Sequence, residues 1–296
     1  MRDAFSDYHP IVNFIYFISV ILFSMFFMHP VCLGISLAAS IAYAICLKGI
    51  RGVRFSLRYM IPMLVLVLLI QPMFQHAGMT ILAYLPWGNP LTLESIVYGV
   101  AAACLMAAVL QWFYCYTSVM TSDKFVYLFG RIIPSLSLVL SMTLRFVPKF
   151  QAQFKIVREA QRCIGRDITN GTILQRIRHG MKIVSVMISW SMENAIETSD
   201  SMKGRGYGLP GRTAFSVYCF EKRDGWLLVV IFILIIYIMT GSILGGVTFE
   251  YFPMIDGQIE NVYAITIYIA YCCLCFIPVT LHIGEERRWK LLQLRL

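Results

Sequence analysis

Long apolar runs follow one another along this chain, separated by short polar breaks, until a single polar interval of about 108 residues interrupts them. The runs cover roughly 10–28, 31–47, 55–72, 94–116, 225–247 and 262–282. Each lies near the ~20 apolar residues that a bilayer core requires of a helix, so the pattern predicts six membrane spans. Pro62 and Pro72 make the third run a candidate for a broken helix. After it, the stretch from Ile81 to Pro90 carries Pro86, Gly88 and Pro90, breakers that predict a re-entrant or interfacial hairpin.

The polar interval, Thr117 to Asp224, has helical periodicity of its own. One helix is predicted from about Ser135 towards Cys163, with a candidate kink at Pro148. A second is predicted from about Thr172 to Met202. Its apolar face reads Leu174, Ile177, Met181, Val184, Ile188, Met192, Ala195 and Met202. The opposite face is basic early (Arg176, Arg178, His179, Lys182) and acidic late (Glu193, Glu197, Asp200). At ~1.5 Å per residue this rod is about 45 Å long. Between the two helices, Asp167-Ile168-Thr169-Asn170-Gly171 is turn chemistry. One segment has two readings. Phe125 to Val147 is apolar enough for a seventh span, yet Ser137, Ser141 and Arg145 form one polar stripe opposite Leu136, Val139, Leu140, Leu144 and Val147. The stripe favours an amphipathic helix lying at the cytoplasmic interface.

Composition agrees with the spans. The chain is 58% hydrophobic and 14% charged, with a mean hydropathy of +0.71. Such values describe an all-α integral membrane protein with about six transmembrane helices and a cytoplasmic module of long amphipathic helices. The expected divisions are residues 1–116, 117–224 and 225–296. Charge then orients the spans. Of the 25 Lys and Arg residues, 16 lie in the central interval. The rest are Arg2, the group Lys48, Arg51, Arg54 and Arg58, and the tail group Arg287, Arg288, Lys290 and Arg295. With both termini cytoplasmic, every base falls on one side, as the positive-inside rule requires of a multi-pass membrane protein. Met1 to His9 carries both signs and the first run is long enough to remain as a span, so no cleavable signal peptide is expected. The anionic inner leaflet accounts for the basic interval without nucleic acid.

Several activities lack the residues they need. The chain has no G-x-x-x-x-G-K-[ST], hence no P-loop with which to bind ATP. No Asp, Glu, Lys or Arg lies near the middle of a span, where ion-coupled carriers place such groups. His9, His29, His76, His179 and His282 are scattered at loops and span ends. Seven of the nine cysteines sit in apolar runs and read as packing residues. No catalytic residue, metal ligand or cofactor is expected. The alternative to a non-catalytic subunit is an ion-coupled secondary transporter with a large cytoplasmic loop.

Two features remain that a plain bundle does not require. Spans two and four carry small residues every fourth position: Gly34, Ala38 and Ala42, and Ser95, Gly99, Ala103 and Ala107. Such stripes let helices approach closely. At the end of the second amphipathic helix, Gly204, Gly206 and Gly208 bracket Arg205 and Tyr207, and Pro210 stops the helix. An exposed arginine between glycines presents a planar fork to a carboxylate, and the glycines let another backbone approach.

The segment from Lys203 to Thr213, KGRGYGLPGRT, resembles the second Ala-Arg-Gly motif of the transmembrane components of energy-coupling factor (ECF) transporters, with Gly204 in place of Ala. Arg162 to Arg166 sits where that family carries its first such motif. Leu144-Arg145-Phe146-Val147-Pro148 is similar to the pattern upstream of it, and the stretches Gln71–Thr80 and Leu85–Thr92 are similar to the region between the third and fourth spans. The resemblance runs from about Asn13 to Thr213. It implies a vitamin or metal importer of the ATP-binding-cassette class, in which this subunit joins two cytoplasmic ATPases, alike or different, to a small membrane substrate-capture (S) component. The motif arginines of that family end coupling helices that seat in the ATPases. Gly204, Arg205 and Gly206 match this role directly. In the first motif the arginine position falls on Ile164 within Cys163-Ile164-Gly165, and Arg162 and Arg166 flank it at i and i+4. The expected ATPase-docking residues are therefore Gly204, Arg205, Gly206, Arg162, Gly165 and Arg166. Gly34, Ala38, Ala42, Gly99, Ala103 and Ala107 are expected to serve helix packing or the S component.

Overall fold

Two His-Pro pairs start the first two helices in the same way. His9 and His29 each accept, through Nδ1, the N–H two residues on (Ile11 and Val31, both 3.3 Å), while the following proline occupies the first helical position. Proline there removes an N–H that would have no partner in the helix. The computed structural model describes residues 4–75, 78–84, 90–132, 134–166, 169, 171–207, 209, 218–253, 256–257 and 262–293. These fall into two compact units, residues 1–124 with 218–296, and 125–217.

In the first unit α1 (Pro10–Phe26), α2 (Pro30–Lys48), α3 (Ile50–Phe74), α4 (Leu93–Val119), α8 (Lys222–Ile243) and α9 (Val262–Gln293) form an all-α bundle. Helix α4 packs against α1, α2 and α3, α2 also against α9, and α8 against α9 and α1. The small-residue stripe of α4 is the reason for its closest approach. A Cβ on Gly99 would lie 3.3 Å from Gln71 Cβ and 3.7 Å from Pro72 Cδ of α3. Gly241 does the same for α8, where a Cβ would come within 2.6 Å of Ile267 on α9. The core is aromatic, with Phe5, Tyr16, Phe17, Tyr43, Trp112 and Tyr271 buried together. Their polar atoms are paired: Trp112 Nε1 donates to Ser36 Oγ (3.0 Å), Ser36 meets Ser24 (2.6 Å), and Ser24 meets the Tyr271 hydroxyl (3.1 Å). One hydrogen-bonded chain of buried side chains thus links α1, α2, α4 and α9.

The second unit contains α6 (Pro134–Cys163), α7 (Ile173–Gly204) and most of α5 (Ser122–Ile132). The expected helix ends hold to within two residues. The apolar segment 125–147 is covered by α5 and α6, with Ile133 outside the described residues.

Several expectations change. Helix α3 is not broken; it continues through Pro62 and Pro72, and α6 continues through Pro148. Helices tolerate proline where neighbours or local adjustment satisfy the freed carbonyl. The segment expected to form a re-entrant or interfacial hairpin does pair as antiparallel strands, β1 (Ile81–Tyr84) with β2 (Pro90–Thr92), while the breakers Pro86 and Gly88 lie outside the described residues. Thr80 at its base donates its N–H to the buried Glu94 carboxylate (3.2 Å). Among the described residues, α2, α4, α8 and α9 are long and apolar enough to cross a membrane. The other two expected spans are shorter as apolar helices, Pro10–Phe26 and Arg58–Phe74.

Both places where the chain passes between the units are tied to its N-terminal segment. The ammonium of Lys124, 6% exposed, donates to the Ser6 carbonyl, the Ser6 hydroxyl (3.1 Å) and the Val119 carbonyl at the end of α4 (3.1 Å). Those bonds use all three of its protons. At the return, Asp224, 2% exposed, accepts the N–H groups of Glu221 (2.9 Å) and His9 (3.4 Å), and Phe220 packs edge-on against the His9 ring.

Candidate functional site

Helix α7 begins with a capping box. Thr172 is the N-cap, and the Gln175 side chain accepts the Thr172 N–H at 3.1 Å. From Ile183 on, its covered positions are Ile183, Met187, Trp190, Ser191, Asn194, Thr198 and Met202, one stripe along the helix. Among the described side chains of α6 they are Leu138, Leu140, Met142, Phe146, Gln153, Val157 and Gln161. The helices run in opposite directions and touch where Phe150 meets Trp190 edge-on (5.3 Å) and Lys149 Nζ donates to Asn194 Oδ1 (3.0 Å). Lys149 also stands over the Trp190 ring, 5.7 Å from its centroid.

This seam is not the predicted one. Leu174, Ile177, Met181, Val184, Ile188 and Met192 are all exposed, and only Met202 of that series belongs to the covered face. The predicted stripe and the packed stripe both have helical spacing, about a third of a turn apart. Ile183, Met187 and Trp190 offer bulk and a ring that can meet Phe150, and α6 packs on them.

The two helix ends share one backbone design. At the end of α7, Gly206 takes φ +74°, its N–H donates to the Lys203 carbonyl (2.9 Å), and the Tyr207 N–H reaches back to Met202 (3.0 Å). At the end of α6, Gly165 takes φ +79°, its N–H donates to Arg162 (2.9 Å), and the Arg166 N–H reaches back to Gln161 (3.0 Å). Both are Schellman caps, in which a left-handed glycine lets the chain satisfy the last carbonyls. By hydrogen-bond pattern they correspond residue for residue: Cys163 to Gly204, Ile164 to Arg205, Gly165 to Gly206, Arg166 to Tyr207. The position just before the left-handed glycine is therefore Arg205 on one tip and Ile164 on the other, both exposed. Helix α7 itself separates the tips, and its 32 residues span about 48 Å at ~1.5 Å each.

The cap corrects one expectation. Arg166 stands beyond the reversal at Gly165, so it does not share a helical face with Arg162. Gly204 has open space where a Cβ would stand, so packing within the chain does not demand glycine there. Gly208, Pro210, Gly211, Arg212 and Thr213 of the second motif lie outside the described residues, as do His76, residues 85–89, Asp167, Ile168 and Asn170. The small-residue stripes divide. Ser95, Gly99, Ala103 and Ala107 are buried in the bundle, whereas Gly34 and Ala38 are exposed and Ala42 is half-buried.

Two clefts flank the contact between α6 and α7. One, of about 620 Å3, is lined by Arg145 and Lys149 from α6 and by Asn194, Glu197, Ser201 and Arg205 from α7. The other, of about 560 Å3, is largely apolar and includes Leu138, Phe150 and Tyr207. The convergence of Arg145 with Arg205 was not visible in the sequence, although a polar stripe with Arg145 on it was.

No family profile matches the chain. Curated relatives do. The energy-coupling factor transporter transmembrane protein EcfT of Lactococcus lactis subsp. cremoris is 31% identical over 111 residues, 37% of this chain and 42% of that protein. The EcfT proteins of Lactobacillus helveticus (34% over 93 residues, 31% and 34% of the two chains) and Brevibacillus brevis (31% over 110 residues, 37% and 42%) are similar to the same degree. The chain resembles an ECF transporter transmembrane component. The match spans no more than about two fifths of the length of these EcfT relatives.

Proposed function

We propose that this chain is the transmembrane coupling subunit of an ECF-type importer in a prokaryotic cell membrane. On this reading α6 and α7 lie on the cytoplasmic side, both termini are cytoplasmic, and the tips of the two helices seat on two ATP-binding-cassette ATPases. The chain itself hydrolyses nothing. A small membrane S component captures the substrate, a vitamin or a transition-metal ion, and this subunit transmits the ATPase stroke to it. The observation that carries the reading is the second tip: a rod-like helix closed by a Schellman cap with Arg205 exposed at its end. A rigid end with a fixed donor fork suits transmission of force through a carboxylate contact. Gly204, with open space at its missing Cβ, gives the partner backbone room to approach.

On the same reading the two small-residue stripes have different duties. Gly99, Ala103 and Ala107 pack α4 inside the bundle. Gly34, Ala38 and Ala42 on the outward side of α2 offer a close helix contact to the S component.

Co-purification from mild detergent tests the proposal. Stoichiometric ATPase subunits and a small apolar protein should accompany the chain, and cysteine labelling at position 205 should succeed only from the cytoplasmic side. Full expression with no ATPase bound, or labelling from outside alone, would refute it.

A further inference from the structure

The docking contact at the second tip needs only Arg205, yet Arg205 does not stand alone. Arg145 and Lys149 lie one turn apart on α6 and line the same 620 Å3 cleft as Arg205 from α7. Glu197 is the one acidic residue on its wall, against three cations. Among the described residues none of the three cations makes an ion pair, and Arg145 makes no hydrogen bond. The rest of the wall is partly apolar, with Asn194, Thr198 and Ser201 as its neutral polar side chains, and these can complete an oxygen-rich ligand's hydrogen bonds.

We propose that this cleft receives an acidic segment of the ATPase that docks on Arg205, with Arg145 and Lys149 as further docking cations. The inference rests on the coupling-subunit reading above and extends its contact from one residue to a socket built by both helices. Charge complementarity names the occupant. Like charges gathered in one cleft repel, and carboxylates brought in by a partner relieve that repulsion. The antiparallel packing of α6 on α7 is what brings Arg145 level with the tip, about 60 residues away in the chain. The socket would also be specific to this tip. At the other end Ile164 occupies the position of Arg205, so that contact is apolar at its centre.

The test uses the full chain in nanodiscs of zwitterionic lipid, with purified ATPase subunits titrated on across a salt series. Wild-type attachment should weaken as salt rises. Arg145→Gln should weaken attachment about tenfold at low salt, the lower end of what a close charge pair across an interface contributes, and should flatten the salt dependence. Lys149→Arg, which keeps the charge and a donor for Asn194, should match wild type, and Arg178→Gln, exposed on α7 outside the cleft, should leave both quantities unchanged. If Arg205→Glu abolishes attachment while Arg145→Gln behaves as wild type, the socket is wrong and the coupling reading survives. If wild type binds no ATPase, the coupling reading itself has failed. If Arg145→Gln matters only when anionic lipid is present, the cleft holds a lipid headgroup and the proposal is overturned.

Discussion

The tips of α6 and α7 are one backbone structure carrying two chemistries. Each ends in a left-handed glycine with the same pair of reaching hydrogen bonds, yet the residue before that glycine is Ile164 on α6 and Arg205 on α7. Where a helix stops and what its end presents are therefore separable properties. Glycine at 165 and 206 fixes the first, because other residues pay for a positive φ. The preceding residue points outward in both caps and is free to specify a partner. If both tips seat on ATPases, one grip is charged and the other is apolar.

That contrast can be broken most severely at Arg205. Arg205→Glu should weaken ATPase attachment at least about thirtyfold, since it places like charges at a contact built for opposite ones, and uptake should stop while membrane insertion is normal. Retained uptake would remove Arg205 from the contact. The caps come next. Gly206→Ala and Gly165→Ala should each cost about 1–2 kcal/mol locally, read as roughly 5- to 30-fold faster hydrogen exchange at the Tyr207 and Arg166 amides respectively. Gly206→Ala should be the worse of the two, because its Cβ would also stand 3.0 Å from Leu209 Cδ1, whereas the Cβ at 165 meets nothing. Equal and negligible effects would mean the caps do not hold the tips.

Ile164→Arg sharpens the comparison by making the tips alike. Attachment should stay the same or tighten by up to about tenfold, and it should gain salt sensitivity. A collapse of attachment would show that the first tip depends on an apolar contact at this residue. Gly204→Ala should do least. Open space at its Cβ and a good helix former in place of glycine predict unchanged attachment and an α7 end firmer by up to about 1 kcal/mol.

Much of this comparison was readable from residue order. Gly206, with helical periodicity before it, marked the end of the second rod, and the alignment of Ile164 with Arg205 followed from the resemblance to the family's two motifs. Helical periodicity placed the start of α7 near Thr172, within one residue of where it stands. What could not be read was long-range. α7 is apolar on more than one face, and periodicity alone does not choose between Ile177, Met181 and Val184 on one side and Ile183, Met187 and Trp190 on the other. Phe150 and Lys149 decide it, and they belong to a different helix. Pro62, Pro72 and Pro148 misled for a related reason: proline lowers local propensity, and the rest of the helix overrides it. Lys124 and Asp224 gave no warning, since a single charge at a helix end is ordinary until its partners in the first dozen residues are known.

Those partners bear on how the molecule is made. Ser6 and His9 leave the ribosome long before Lys124, and His9 must wait for Asp224, 215 residues later. Until the chain returns from the paired rods, the His9 amide lacks its Asp224 acceptor, and a closure of such long sequence separation forms late. Assembly of this contact is thus completed only after the paired rods have been synthesised, and a nascent chain that stalls before residue 224 holds its leading segment through Lys124 alone of the two charged partners.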